Sequence, residues 1–248
     1  MQTLSAQELL SVWEQGVVWA PVFRALKLLA FALPETSLHD LERLSIGQRD
    51  ALLLMLREQT FGSRLVCLAR CPSCDERLEM GFGVQDILID PRIGSDEVLS
   101  IAISGYEVQF RLVCSLDLIA IAGVEDPTLA RSILLDLCIL QVRRNGEKIS
   151  KDISADELPA DVLNSVVDRM EEADPQADVQ LSLTCPPCGH QWQASFDIVS
   201  FFWSEIDNWA HRILRDVHTL ARAYGWSESD ILKMNPLRRQ IYLEMVSE

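Results

Sequence analysis

The chain has 248 residues, 48% of them hydrophobic, and a formal net charge of −15. That length allows one large domain or two small ones, and that apolar fraction excludes a chain disordered by composition. The negative charge repels phosphate, so general binding to nucleic acid or to an anionic membrane surface is not expected. Basic protein partners are compatible with it.

Met1 to Ser11 shows no basic residue followed by an apolar run, so no secretory leader is expected. The longest apolar stretch, Val17 to Leu33, is interrupted by Pro21, Arg24 and Lys27, whereas a membrane span needs about 20 mostly apolar residues. The expectation is a protein made and folded in a reducing cytoplasm. Ser5-Ala6-Gln7-Glu8 is a capping box and predicts a helix from Ala6 to near Gly16. Pro21 suits the first turn of a second helix with apolar positions Val22, Leu26, Leu29 and Leu33, stopped by Pro34. Thr36 or Ser37 can cap a short helix through Leu44, and Ser45 starts another that closes near Gly62.

The pattern then changes. Ser63 to Arg70 reads as a strand, followed by Cys71-Pro72-Ser73-Cys74 and a second strand near Leu78 to Phe82. Leu99 to Ser104 and Glu107 to Val113 alternate around Gly105 and predict a hairpin. Leu116 to Val142 reads as helix interrupted around Gly123 to Pro127, and Asn145-Gly146 as a turn. Leu158 to Ala173 reads as helix, ended by Asp174-Pro175. Ala177 to Thr184 alternates as a strand leading into Cys185-Pro186-Pro187-Cys188. Asp197 can cap a long helix through Tyr224, with Phe202, Ile206, Trp209, Ile213, Val217 and Leu220 along one stripe. Gly225 fits its C-terminal cap, and two short helices follow from Ser227 and from Asn235-Pro236.

Seven cysteines include two Cys-x-x-Cys pairs, and the flanks of the pairs repeat. Leu78 and Trp192 each lie four positions after the second cysteine, and Phe82 and Phe196 lie eight after it. This is the pattern of two zinc knuckles at hairpin tips. Zinc takes four tetrahedral ligands, so one knuckle alone is incomplete and two close the shell. Cys71, Cys74, Cys185 and Cys188 are therefore expected to bind one structural Zn2+ per chain, with no position open for catalysis. The pairs are separated by 110 residues. Loop closure costs only about 0.6 kcal/mol per doubling of length, against on the order of 10 kcal/mol from structural zinc. The separation reads as a split ribbon holding an insertion.

Other assignments are weaker on physical grounds. Thioredoxin-like redox pairs sit at a helix start after a strand, and these pairs lie between strands. Cys67 or His190 could each replace a ligand, but neither fits the repeat. Cys114 and Cys138 read as buried apolar residues. His211 and His218 share a face of the long helix, yet no nucleophile or carboxylate constellation accompanies them. No phosphate loop, dinucleotide fingerprint or zinc-protease motif is present. Residues 151–178 hold nine Asp/Glu and two Lys/Arg, either a solvated face or a dock for a basic partner. The aromatic residues of the last helices, such as Trp203 and Trp209, are mostly core, with some free to serve an interface.

Several segments carry a family resemblance: Gly47-Gln48-Arg49-Asp50-Ala51-Leu52-Leu53 before the first knuckle, and Asp174-Pro175-Gln176-Ala177-Asp178 before the second. Trp203-Ser204-Glu205-Ile206, Ala223-Tyr224-Gly225-Trp226 and Leu237-Arg238-Arg239-Gln240-Ile241-Tyr242-Leu243 follow. Together these resemble a family encoded with contractile phage tails and contractile injection systems, similar to the T-even phage baseplate hub assembly chaperones. The resemblance implies a non-enzymatic assembly factor whose partners are baseplate or tail hub proteins. It implies no catalytic residue. A structural baseplate component is the alternative, and a nucleic-acid-binding zinc-ribbon protein is disfavoured by charge.

The expected fold is α+β and mainly helical. Its expected parts are a helical unit over 1–61, a split zinc ribbon over 62–83 and 178–197, an α+β insertion over 84–177, and a helical unit over 198–248.

Overall fold

In chain order the computed structural model contains α1 (Ala6–Gly16), α2 (Pro21–Ala32), α3 (Leu38–Arg43), α4 (Ile46–Phe61), β1 (Arg64–Arg70) and β2 (Arg77–Gly83). Then come β3 (Leu99–Ile103), β4 (Tyr106–Phe110), α5 (Ser115–Ala120), α6 (Pro127–Cys138), β5 (Ile139–Arg144) and β6 (Glu147–Lys148). The last elements are α7 (Ala160–Ala173), β7 (Val179–Thr184), β8 (Gln191–Phe196), α8 (Ile198–Tyr224), α9 (Glu228–Leu232) and α10 (Pro236–Ser247). The structure describes residues 1–89, 98–149 and 154–247. The first three positions of the acidic segment, 151–153, lie outside them. The fold class is α+β, as the sequence indicates.

Two compact units form, one from Met1–Glu35 with Ile198–Glu248, the other from Thr36–Asp197. The helical stretch 1–61 is thus divided at Glu35, because α3 and α4 find their packing partners among later parts of the second unit. In the first unit, the Ser5 hydroxyl accepts from the Glu8 N–H and the Glu8 carboxylate accepts from the Ser5 N–H, closing the capping box. The stripe of α8 buries Phe202, Ile206, Ala210, Ile213, Val217 and Leu220. Its C-terminal half shares a core with Leu10 of α1, with Ile231 and Leu232 of α9, and with Tyr242 and Leu243 of α10. Gly225, at φ +70°, ends α8 in the left-handed conformation that glycine adopts without a Cβ penalty.

In the second unit, β3–β4–β5–β6 is an antiparallel meander. Val108, Phe110 and Val142 on this sheet bury against Leu135 of α6 and against Val162 and Val166 of α7. Ile139 to Val142, which the sequence reads as the end of a helix, is strand and opens β5. The β4 strand presents a row of unpaired N–H and C=O groups, and pairing Ile139–Arg144 with it satisfies them across the sheet. That long-range gain overrides the local helical continuation of α6. The β1–β2 and β7–β8 pairs are separate two-stranded hairpins.

Helix α4 is fixed by polar groups as well as by Leu53, Leu54 and Leu56. Its N-terminus carries the Ser45/Gln48 capping box. The Asp174 carboxylate, from the turn before β7, accepts from the Gly47 N–H at 3.0 Å. Next to it, the Arg49 guanidinium donates to Asp50 Oδ1 at 2.7 Å, and both residues are buried. Burial pushes the Asp50 carboxyl up to about 6; Arg49 opposes this, and Asp197 and Asp174 add to it. The folded protein therefore holds this proton more tightly than the unfolded chain, whose value is about 4. Stability contributed by protonated Asp50 is present below pH ~4 and is lost as pH rises through about 6, by about 3 kcal/mol. Urea midpoints of the wild type and of Asp50→Asn, measured from pH 4 to 7.5, will diverge in favour of the variant as pH rises. A difference independent of pH would show that Asp50 stays ionised in the fold.

Candidate metal centre

The two Cys-x-x-Cys motifs occupy the tips of the β1–β2 and β7–β8 hairpins, between strands in both cases. Each tip is built the same way. The Cys71 N–H donates to Glu76 O at 2.9 Å and the Asp75 N–H to Cys71 O at 2.9 Å. The Cys185 N–H donates to His190 O and the Gly189 N–H to Cys185 O, both at 2.8 Å. Asp75 (φ 60°) and Gly189 (φ 71°) are equivalent, each following the second cysteine in the left-handed region. Glycine adopts that region freely, and aspartate is among the few other residues that tolerate it. The repeat seen in the sequence is thus a repeat of backbone geometry.

The hairpins present their half-buried faces to one another. Phe82 and Phe196 meet edge to face at 5.8 Å near one end. At the other end the cysteines converge. Cys71 Sγ lies 3.6 Å from Cys188 Sγ, and Cys74 Sγ lies 3.5 Å from Cys185 Sγ. All four sulfurs fall within 4.8 Å of one another. In each motif the first cysteine is buried and the second exposed, and each buried sulfur contacts the exposed sulfur of the other hairpin.

The donor set suits a metal ion. Four sulfurs at about 2.3 Å from a tetrahedral zinc lie about 3.8 Å apart, close to the spacing here. The thiols of the cluster shift in opposite directions. Burial raises Cys71, but N–H groups of Cys74 and Ser73 and the thiols of Cys188 and Cys185 outweigh it and hold Cys71 at about 7. Burial drives Cys185 up to about 12. Four thiolates this close repel one another, and a dication among them removes that repulsion. The cluster can therefore hold a metal ion, with all four ligand positions filled by protein.

The residues considered as substitutes stand elsewhere. Cys67 pairs with Met80 along the hairpin and is outside the four-sulfur group. His190 is exposed and stacks on Trp192 at 5.9 Å. Cys114 and Cys138 are buried, as expected, but beside a polar group: Arg111 donates to both Asp117 oxygens at 2.6 and 2.8 Å and approaches both sulfurs. Burial raises both thiols, Cys138 to about 12, which suits a structural role. His211 and His218 are exposed on α8, with His211 set edge-on to Trp13 at 5.4 Å.

Sequence reasoning missed the contact that sets the approach of the second hairpin. Asp174 grips the first turn of α4, and buried Gln176 accepts from the Ile89 N–H at 2.7 Å. Two of the segments that carry the family resemblance, Gly47–Leu53 and Asp174–Asp178, are therefore in contact. Nothing in the spacing of either segment announces the other.

A family described as T4 bacteriophage base plate protein matches residues 32–203, a span that contains the whole Thr36–Asp197 unit and both cysteine pairs. This chain belongs to that family. Comparisons with curated proteins and with solved structures give no match. Family membership gives the protein a baseplate-related role and interaction with other baseplate proteins. No helix among the described residues is long and apolar enough to cross a membrane.

Proposed function

We propose that this protein is a non-enzymatic assembly factor, a chaperone, for the baseplate or hub of a contractile tail-like injection system. One structural Zn2+ per chain, held by Cys71, Cys74, Cys185 and Cys188, stabilises it. The family match over residues 32–203 carries the baseplate part of this reading. The four-sulfur cluster supports the metal part: its ligand shell is complete, so the ion has no position for substrate and serves to join two hairpins distant in sequence. Residues 62–83 and 178–197 then form a split ribbon, and 84–177 is its insertion. The acidic net charge disfavours a nucleic-acid role. Assembly takes place in the cytoplasm.

The test is the protein content of purified particles compared with the cell lysate that made them. An assembly factor binds a baseplate or hub subunit in the lysate and is absent from finished particles. Stoichiometric presence in the particles would instead make it a retained structural component. Absence of any tail protein among its bound partners would overturn both.

A further inference from the structure

The two hairpins are alike in backbone and in their facing sides, but their outer sides differ. On β7–β8 the outer positions are Gln180, Ser182, Thr184, Gln191, Gln193 and Ser195, all exposed, polar and uncharged. Ser182 and Gln193 hydrogen-bond across the strands. This is what an outer face made for water looks like on this scaffold. On β1 the outer positions are Arg64, Val66, Leu68 and Arg70, and β2 adds Arg77, Glu79 and Gly81. Val66 is 46% and Leu68 59% exposed.

Hairpin stability does not account for this composition. Val66 stands opposite Gly81, which has no side chain to cover it, and the Arg64 guanidinium lies over that glycine. Arg70 stands directly opposite Arg77, and like charges facing across a strand pair are destabilising. Asp75 takes one of the two, Arg70, at 3.1 Å. The face carries three arginines to one glutamate, inside a unit whose residues 36–197 hold 27 Asp/Glu and 14 Lys/Arg. Arginine and exposed branched apolar residues, placed where the sister hairpin has amides and hydroxyls, form a surface that a partner carrying carboxylates would complete.

We infer that the outer face of the β1–β2 hairpin is a docking surface for an acidic segment of another protein. That segment lays apolar side chains on Val66 and Leu68 and carboxylates on Arg64 and Arg77. Arg77 pairs with Arg70, six residue steps along β1 from Arg64, so the two arginines are roughly 20 Å apart along the strands and the segment spans about six extended residues. A second copy of this chain is disfavoured, because it would bring a whole-chain charge of −15 against another −15, whereas the surface needs only a short acidic segment. The inference rests on the proposed function only for where the partner is sought.

The experiment places a photoreactive phenylalanine analogue at Leu68, or at Gln193 as the control face, in the full-length protein in particle-producing cells. Crosslinked peptides are identified by mass spectrometry. The expected result is a crosslink from position 68, and none from 193, to a protein segment containing Asp or Glu beside apolar residues. The double variant Arg64→Glu, Arg77→Glu lowers its yield roughly tenfold or more. Metal content and circular dichroism of that variant stay as in the wild type. Equal crosslinking from both faces, a nucleic-acid or self crosslink, or a yield unchanged by charge reversal would overturn the inference. A carboxylate-bearing partner unrelated to tails would uphold the surface and count against the proposed assembly role. A tail protein captured only from other positions would do the reverse.

Discussion

Cys185→Ser will lose the bound metal and unfold the Thr36–Asp197 unit under conditions where the wild type is stable. Cys185 is fully buried and its sulfur meets Cys74 Sγ at 3.5 Å. A serine hydroxyl cannot supply the thiolate, and three remaining sulfurs leave the ion with an open site facing a buried polar group. Structural zinc contributes on the order of 10 kcal/mol in small peptides, comparable with the whole stability of a typical domain, about 5–15 kcal/mol. Two hairpins of two strands each are marginal alone. Elemental analysis should give one zinc per wild-type chain and none for the variant, and a strong chelator should reproduce the loss of structure in the wild type. Cys67→Ser, outside the cluster, should keep full metal. A folded Cys185→Ser protein that retains its ion would refute the site.

Gly47→Ala will destabilise the protein by about 3 kcal/mol or more, opposite in sign to its usual effect. In an ordinary helix, alanine is better than glycine by about 1 kcal/mol. Here a Cβ on residue 47 would overlap the Asp174 carboxylate and lie 3.0 Å from the backbone nitrogen of Ala177. Asp174 must then leave a site where it is 7% exposed, and the Gly47 N–H loses its acceptor. Overpacking costs about 1–3 kcal/mol and an orphaned buried donor a similar amount. Urea denaturation measures the loss. Adding Asp174→Ala to Gly47→Ala should cost less than the two single changes summed, because the second change removes the clash created by the first. Strict additivity would show that the two residues do not interact.

Local chemistry was legible throughout. The capping residues Ser5, Ser37, Ser45 and Ser227 each start a helix where the sequence places one. The turns at Gly105, Asn145-Gly146 and Gly225 fall where glycine and asparagine permit positive φ. These signals lie within a few residues of the structure they specify, so no long-range information is needed. Ile139–Val142, read as helix and found as strand, shows the limit. Its own residues do not distinguish the end of a helix from a strand, and β4, about 30 residues earlier, decides the matter by offering unpaired backbone groups.

The four cysteines are legible for a different reason. Cys-x-x-Cys turns both sulfurs to one point, half a tetrahedral shell, so each pair implies its partner over any intervening distance. The sequence by itself determined the α+β class and which four cysteines come together. Tertiary structure alone decided that the N-terminal helices part company at Glu35, that Asp174 closes on Gly47, and that one hairpin turns arginine and leucine outward where its sister turns amides and hydroxyls. Those outcomes depend on which surfaces meet. Burial, close packing and charge at a surface are properties of pairs of segments, and a single segment carries only one side of each pair.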